Sequence, residues 1–80
     1  MRGSAEVILE MEDPRPIYEA LLPETEDHLP KSRVCLELGE KALQLKIEGD
    51  DVGSLRAALN TWIRLVKIAM EMVAIEMVSA

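Results

Sequence analysis

The chain is short of the residues from which most active sites are built. Its 80 residues include one histidine, one cysteine, one tryptophan, one tyrosine and no phenylalanine. The single cysteine, Cys35, excludes an internal disulfide, so a reducing, cytoplasmic setting is the natural expectation. Cys35 and His28 together are too few ligands for a zinc site of the usual kind. His28 sits among carboxylates in a polar loop and is expected to be solvent-exposed and without a role. Cys35 has only Arg33 as a basic sequence neighbour and reads as a bystander thiol. Cations are scarce too: nine Lys and Arg against fifteen Asp and Glu leave a formal net charge of −6. That balance argues against a nucleic-acid binder that works unaided. No glycine-rich phosphate loop is present, because Asp50 and Asp51 lie between Gly49 and Gly53 and would repel phosphate. Glu24, Glu26 and Asp27 lack the regular spacing of a calcium loop. No catalytic residue, metal-ligand set or cofactor site emerges, so an enzyme is the least favoured class. The N-terminus lacks the apolar run of roughly 7–15 residues that marks a signal peptide. Arg64, Lys67, Glu71 and Glu76 interrupt the apolar stretch from Trp62 to Val78, which argues against a membrane span.

What is abundant is oil on a helix. From Asp51 to Ala80 the chain has no proline, and after Gly53 no glycine, so it predicts one long helix with Asp51 as N-cap. Roughly 28 residues at about 1.5 Å rise span about 40 Å. Arg56, Asn60, Arg64, Lys67 and Glu71 fall on one narrow polar stripe, with Lys67 and Glu71 spaced as an i,i+4 pair. Leu55, Leu59, Trp62, Val66, Met70, Val73 and Met77 form one apolar row; Ala58, Leu65, Ile68, Met72 and Ile75 form a second. A helix on a sheet buries a stripe of somewhat more than about 100°, and this arc is about twice that. The second row therefore calls for a second surface. An 80-residue domain is marginal alone, and with no disulfide or metal available, association is the route left to it.

Residues 1–4 resemble an expression leader and are given no fold role, leaving residues 5–80 as one domain. Ala5 to Glu12 alternates as a half-buried strand, with Ala5, Val7, Leu9 and Met11 inward and Glu6, Ile8, Glu10 and Glu12 outward. Asp13 and the following prolines open a short helix whose apolar side is Ile17, Ala20, Leu21 and Leu22. A polar loop runs from Glu24 to Pro30. Arg33 to Leu38 and Ala42 to Glu48 alternate again, joined by Gly39-Glu40-Lys41. The order is β-α-β-β-α, an α+β fold. A right-handed crossover makes strands one and two parallel, and strand three lies between them, antiparallel to strand two. Both helices cover one face of this three-stranded sheet, a KH-like arrangement with two open edges.

Three stretches then carry a family resemblance. They are Ile17-Tyr18-Glu19-Ala20-Leu21-Leu22-Pro23-Glu24, Ile47-Glu48-Gly49-Asp50-Asp51, and Ser54-Leu55-Arg56-Ala57-Ala58-Leu59-Asn60-Thr61-Trp62-Ile63-Arg64. Together they resemble the small Pcc subunit of the archaeal and eukaryotic KEOPS complex, over residues 5–80. The resemblance implies a non-catalytic scaffold that forms a homodimer and binds the catalytic threonylcarbamoyl transferase subunit through a helical bundle. It also implies support of threonylcarbamoyladenosine modification of tRNA within that complex. Eukaryotic members are linked to transcription as well. On this expectation Tyr18, Leu22, Leu65, Ile68, Met72 and Ile75 form the partner or dimer interface. Arg56, Arg64 and Lys67 are candidate contacts to tRNA phosphate, with a solvated face as the preferred reading. Two alternatives stand beside it. A KH-like RNA-binding module fits the element order, but the GXXG clamp is missing and the charge has the wrong sign. A dimeric scaffold unrelated to tRNA is what the residues alone support.

Overall fold

The computed structural model describes residues 2–26 and 31–79, with side chains described as far as Ala74. Along the chain come β1 (Gly3–Glu10), α1 (Arg15–Leu21), a 3-10 turn (Leu22–Glu26), β2 (Ser32–Leu38), β3 (Ala42–Gly49) and α2 (Val52–Ser79). The sheet order is β1-β3-β2, and both pairings are antiparallel. β1 and β2 are therefore parallel to each other without touching, as a crossover through α1 requires. The register sets Val7 against Leu45, Leu9 against Leu43, Val34 against Ile47 and Leu36 against Leu45. Strand alternation thus collects the apolar residues on one face. The opposite face carries Glu6 against Lys46, Ile8 against Gln44 and Arg33 against Glu48.

β1 begins earlier than its alternation suggests. Gly3 and Ser4, expected to lie outside the fold, pair with Gly49 and Glu48. Strand β3 runs on to Gly49, and the backbone groups at its end take partners whatever side chains those partners carry. At the other end Met11 has left the strand, although its N–H still reaches the Lys41 carbonyl at 3.0 Å.

α1 starts differently too. Pro14 is its N-cap residue and Pro16 lies in the first turn; Asp13 accepts a hydrogen bond from the Arg15 N–H at 3.3 Å without being the cap. A helix of seven residues buries one short stripe, here Ile17 and Leu21 at i and i+4. Ala20 and Leu22, expected on that apolar side, are exposed. They lie off the stripe, and the chain tightens into the 3-10 turn immediately after Leu21.

The core is formed by Ile17 and Leu21 of α1, Leu43, Leu45 and Ile47 of β3, and Ala58, Trp62, Val66 and Ala69 of α2. No polar side chain is buried among the described residues. Two features fix the position of α2. Asp51 accepts the Ser54 N–H at 2.7 Å, and its carbonyl accepts the Leu55 N–H at 3.0 Å, so the first turn is capped. Gly49 lets the helix start lie directly on β3: a Cβ there would stand 2.6 Å from the Leu55 nitrogen. Lys31 takes a left-handed conformation (φ 59°), and its carbonyl accepts the Asp50 N–H at 2.9 Å. That bond ties the start of β2 to the loop before α2. Arg33 closes the same corner, with Nη2 3.2 Å from Asp50 and Nε 3.7 Å from Glu48.

Candidate protein-interaction surface

α2 is longer than the sheet that carries it. Twenty-eight residues span about 42 Å at 1.5 Å each, whereas an eight-residue strand spans about 26 Å. The longest dimension of the molecule, 46 Å, is set by this helix. Side-chain exposure varies around the helix as well as along it. Val66 is buried and Leu59 half-buried, yet Met70, close to the same angular position further along, is 47% exposed. Leu65 is half-buried against the core, yet Met72, seven residues on, is 55% exposed. Ala69 is nonetheless buried and Val73 packs against the core, so α2 stays seated past Met70 and its exposed apolar residues lie to the sides of its buried stripe.

The rotation of α2 also departs from the two expected rows. Its buried stripe is Ala58, Trp62, Val66 and Ala69, drawn from both rows and, for Ala69, from neither. Two of its four members are alanines, small side chains that leave room for neighbouring residues to pack close. As a consequence the surplus oil is divided between two flanks. Counted at about 100° per residue, Ile63 (53% exposed) and Met70 lie roughly 80–100° to one side of the buried stripe. Ile68 (45% exposed) and Met72 lie roughly 80–120° to the other. Between the flanks, facing away from the sheet, runs the polar ridge of Arg56, Asn60, Arg64, Lys67 and Glu71, all exposed. Lys67 and Glu71 are not in ion-pair contact, and among the described residues Arg56 and Arg64 make no ion pair either.

The other residues singled out above take these positions. Leu22 is exposed just beyond α1, and Tyr18 is half-buried against the core. Ile75 belongs to α2, with its side chain outside the described residues, as is His28. Cys35 is exposed on the outer sheet face, opposite Lys46 in the register. The acidic pair before α2 has structural work: Asp51 caps the helix and Asp50 pairs with Arg33. Hydrogen bonds from the Ser54 N–H and hydroxyl hold the Asp51 carboxyl below the usual aspartate range, helped by the charge of Lys31. Val52, Ile63 and Met70 are exposed apolar side chains that row counting had placed elsewhere or left out. Their signal in the sequence was the total width of the apolar arc, which no single row expresses.

This geometry suits contact with protein chains. Monomers seldom leave contiguous apolar area on one element, and here it lines both sides of one helix. No helix among the described residues is long and apolar enough to cross a membrane. A family model described as "Transcription factor Pcc1" matches residues 3–74, which takes in every element except the end of α2. No curated protein matches the chain.

Proposed function

The chain belongs to the Pcc1 family, the small subunits of the KEOPS complex, and from that membership we propose that it is a non-catalytic scaffold subunit. In this reading it pairs with a second copy of itself and binds the catalytic threonylcarbamoyl transferase subunit. The assembly then carries out threonylcarbamoyladenosine modification of tRNA in the cytoplasm. The observation that supports the reading is the pair of apolar flanks on α2, one for each kind of neighbour. Tyr18, Leu22, Leu65, Ile68, Met72 and Ile75 belong to the interface, joined by Ile63 and Met70 on the second flank.

The magnitudes limit how such an interface works. Ile63, Ile68, Met70 and Met72 are each about half exposed, so covering them adds roughly 1–1.5 kcal/mol apiece, about 4–6 together. Divided between two neighbours they give each contact about 2–3 kcal/mol, below the roughly 4 kcal/mol or more that association costs, so each flank needs a wider surface around it. Leu22 beyond α1 and the half-buried Tyr18 and Leu65 widen it. Arg56, Arg64 and Lys67 are too few to hold nucleic acid on a chain of net charge −6. Any contact they make with tRNA phosphate belongs to the assembled complex.

The test is Ile68→Asp combined with Met72→Asp, followed by co-purification with the catalytic subunit and light scattering of each species. Burying two carboxylates costs more than the replaced side chains contribute, so binding should fall by at least about a hundredfold. Both positions are exposed, so the monomer fold should persist, with Trp62 still buried. Undiminished co-purification of a folded double variant would place the partner elsewhere.

A further inference from the structure

The face of the sheet turned away from both helices departs from an ordinary solvated surface at one point, and it is independent of the α2 flanks. We propose that this outer face, around Ile8, is a docking site for a basic segment of a partner polypeptide anchored by an apolar side chain. An antiparallel sheet with one wet face normally places polar residues outward, as β1 does with Glu6 and Glu10. Ile8 breaks that pattern. It is 61% exposed, the most exposed large apolar side chain among the described residues.

Ile8 borders a depression of about 270 Å³ lined by Glu37, Leu38, Gly39, Ala42 and Gln44. Drug-sized ligand sites start near about 300 Å³, so this one suits a single side chain better than a cofactor. Its lining is mainly apolar with one carboxylate, Glu37, and further carboxylates stand around it. The register places Glu37 beside Gln44 and Glu10 beside Ala42, while Gln44 donates a hydrogen bond to the Glu6 carboxylate. Glu40 stands in the adjoining turn. Against these four carboxylates there are two nearby cations, Lys46 opposite Glu6 and Lys41, whose Nζ lies 4.0 Å from Glu12.

Charge selects the occupant. RNA is repelled by these carboxylates, and a second copy of this chain carries −6 to an already negative surface. A lysine- or arginine-bearing polypeptide segment satisfies both the carboxylates and the apolar lining. It seats its apolar residue beside Ile8 and its cations beside Glu6, Glu10 and Glu37.

The experiment titrates the isotope-labelled full chain with a short synthetic peptide alternating lysine and isoleucine, and with its glutamate-for-lysine counterpart. Amide shifts from the lysine peptide should concentrate at Ile8, Glu37, Leu38 and Gln44 and weaken with salt. Ile8→Thr, which keeps a strand-compatible residue, should lower affinity at least about tenfold, and Glu37→Lys should lower it as well. Ile68→Asp on the helix flank should leave it unchanged, so this proposal and the α2 interface fail separately. The proposal is overturned by shifts on α2, by equal binding of the glutamate peptide, or by unchanged affinity in Ile8→Thr. It is also overturned if the same amides respond to raised concentration of the chain alone or to a short RNA oligonucleotide.

Discussion

Replacing Gly49 with alanine probes how tightly α2 is seated on the sheet. A Cβ at this position would meet three atoms of Leu55: nitrogen at 2.6 Å, Cα at 2.8 Å and Cβ at 2.9 Å. Ordinary contact begins near 3.4 Å, so the start of α2 must lift by roughly 0.8 Å, the difference from 2.6 Å. Two of the obstructing atoms are helix backbone, which no rotamer change can move aside. The lift would stretch the 2.7 Å bond from the Ser54 N–H to Asp51 and loosen Trp62 about two turns further on. Overpacking of this kind costs about 1–3 kcal/mol. In a domain of this size that corresponds to a fall in Tm of roughly 4–24 °C. Gly53→Ala is the matched control. Its Cβ meets nothing closer than Asp51 Oδ1 at 3.4 Å, and it lies within the first turn of α2. Alanine there should stabilise the chain by up to about 1 kcal/mol. Thermal unfolding followed by far-UV circular dichroism and Trp62 emission reads both variants. A single protein concentration is required, because self-association makes Tm concentration-dependent. A Gly49→Ala chain melting within about 2 °C of the parent would refute the close approach of α2 to β3.

The other perturbations act at the same corner and on the helix flank. Asp51 has its carboxyl held below the ordinary aspartate value in the folded chain. The stability it contributes is therefore complete above that ordinary value and is lost as pH falls through the depressed one. Asp51→Asn keeps a capping oxygen but cannot titrate. The parent's advantage in urea unfolding should therefore narrow on acidification, and a constant or widening gap would contradict the capping role of the carboxylate. Arg33→Ala removes pairs to Glu48 and Asp50 that are about half exposed. Its cost should stay under about 1 kcal/mol and shrink in high salt, whereas a loss above about 2 kcal/mol would mean the corner depends on charge. The Ile68→Asp, Met72→Asp pair should lose its partner without losing its melting transition, as scattering and calorimetry would show.

Much of this molecule is legible in local pattern. Alternation of Val7 and Leu9 with Glu6 and Glu10, of Val34 and Leu36 with Arg33 and Glu37, and of Leu43 and Leu45 with Gln44 and Lys46 defines three strands. Period-two burial is a property of a strand itself. The span of α2 follows from its lack of proline, and its start from Asp51. The β1-β3-β2 order follows from a short hairpin and a handed crossover, both rules of chain connectivity. The acidic balance and the poverty in histidine and cysteine turn attention from chemistry to contact.

The tertiary structure alone decided how α2 is rotated. A helix apolar over most of its circumference has no unique face, so Trp62 and Val66 could have shared the sheet with Met70 or with Ala69. Ala69 and Ala58 are buried with Ile17 and Leu21 of α1 and the β3 side chains, a setting that exists only once these elements are assembled. The same holds for Gly3 and Ser4, drawn into β1 by the length of β3, and for Gly49, whose missing Cβ matters only beneath Leu55. The division of surplus oil into an Ile63–Met70 flank and an Ile68–Met72 flank is thus a consequence of seating. Sequence periodicity records how much apolar surface a helix has, and packing against a shaped partner determines which part of it is left over.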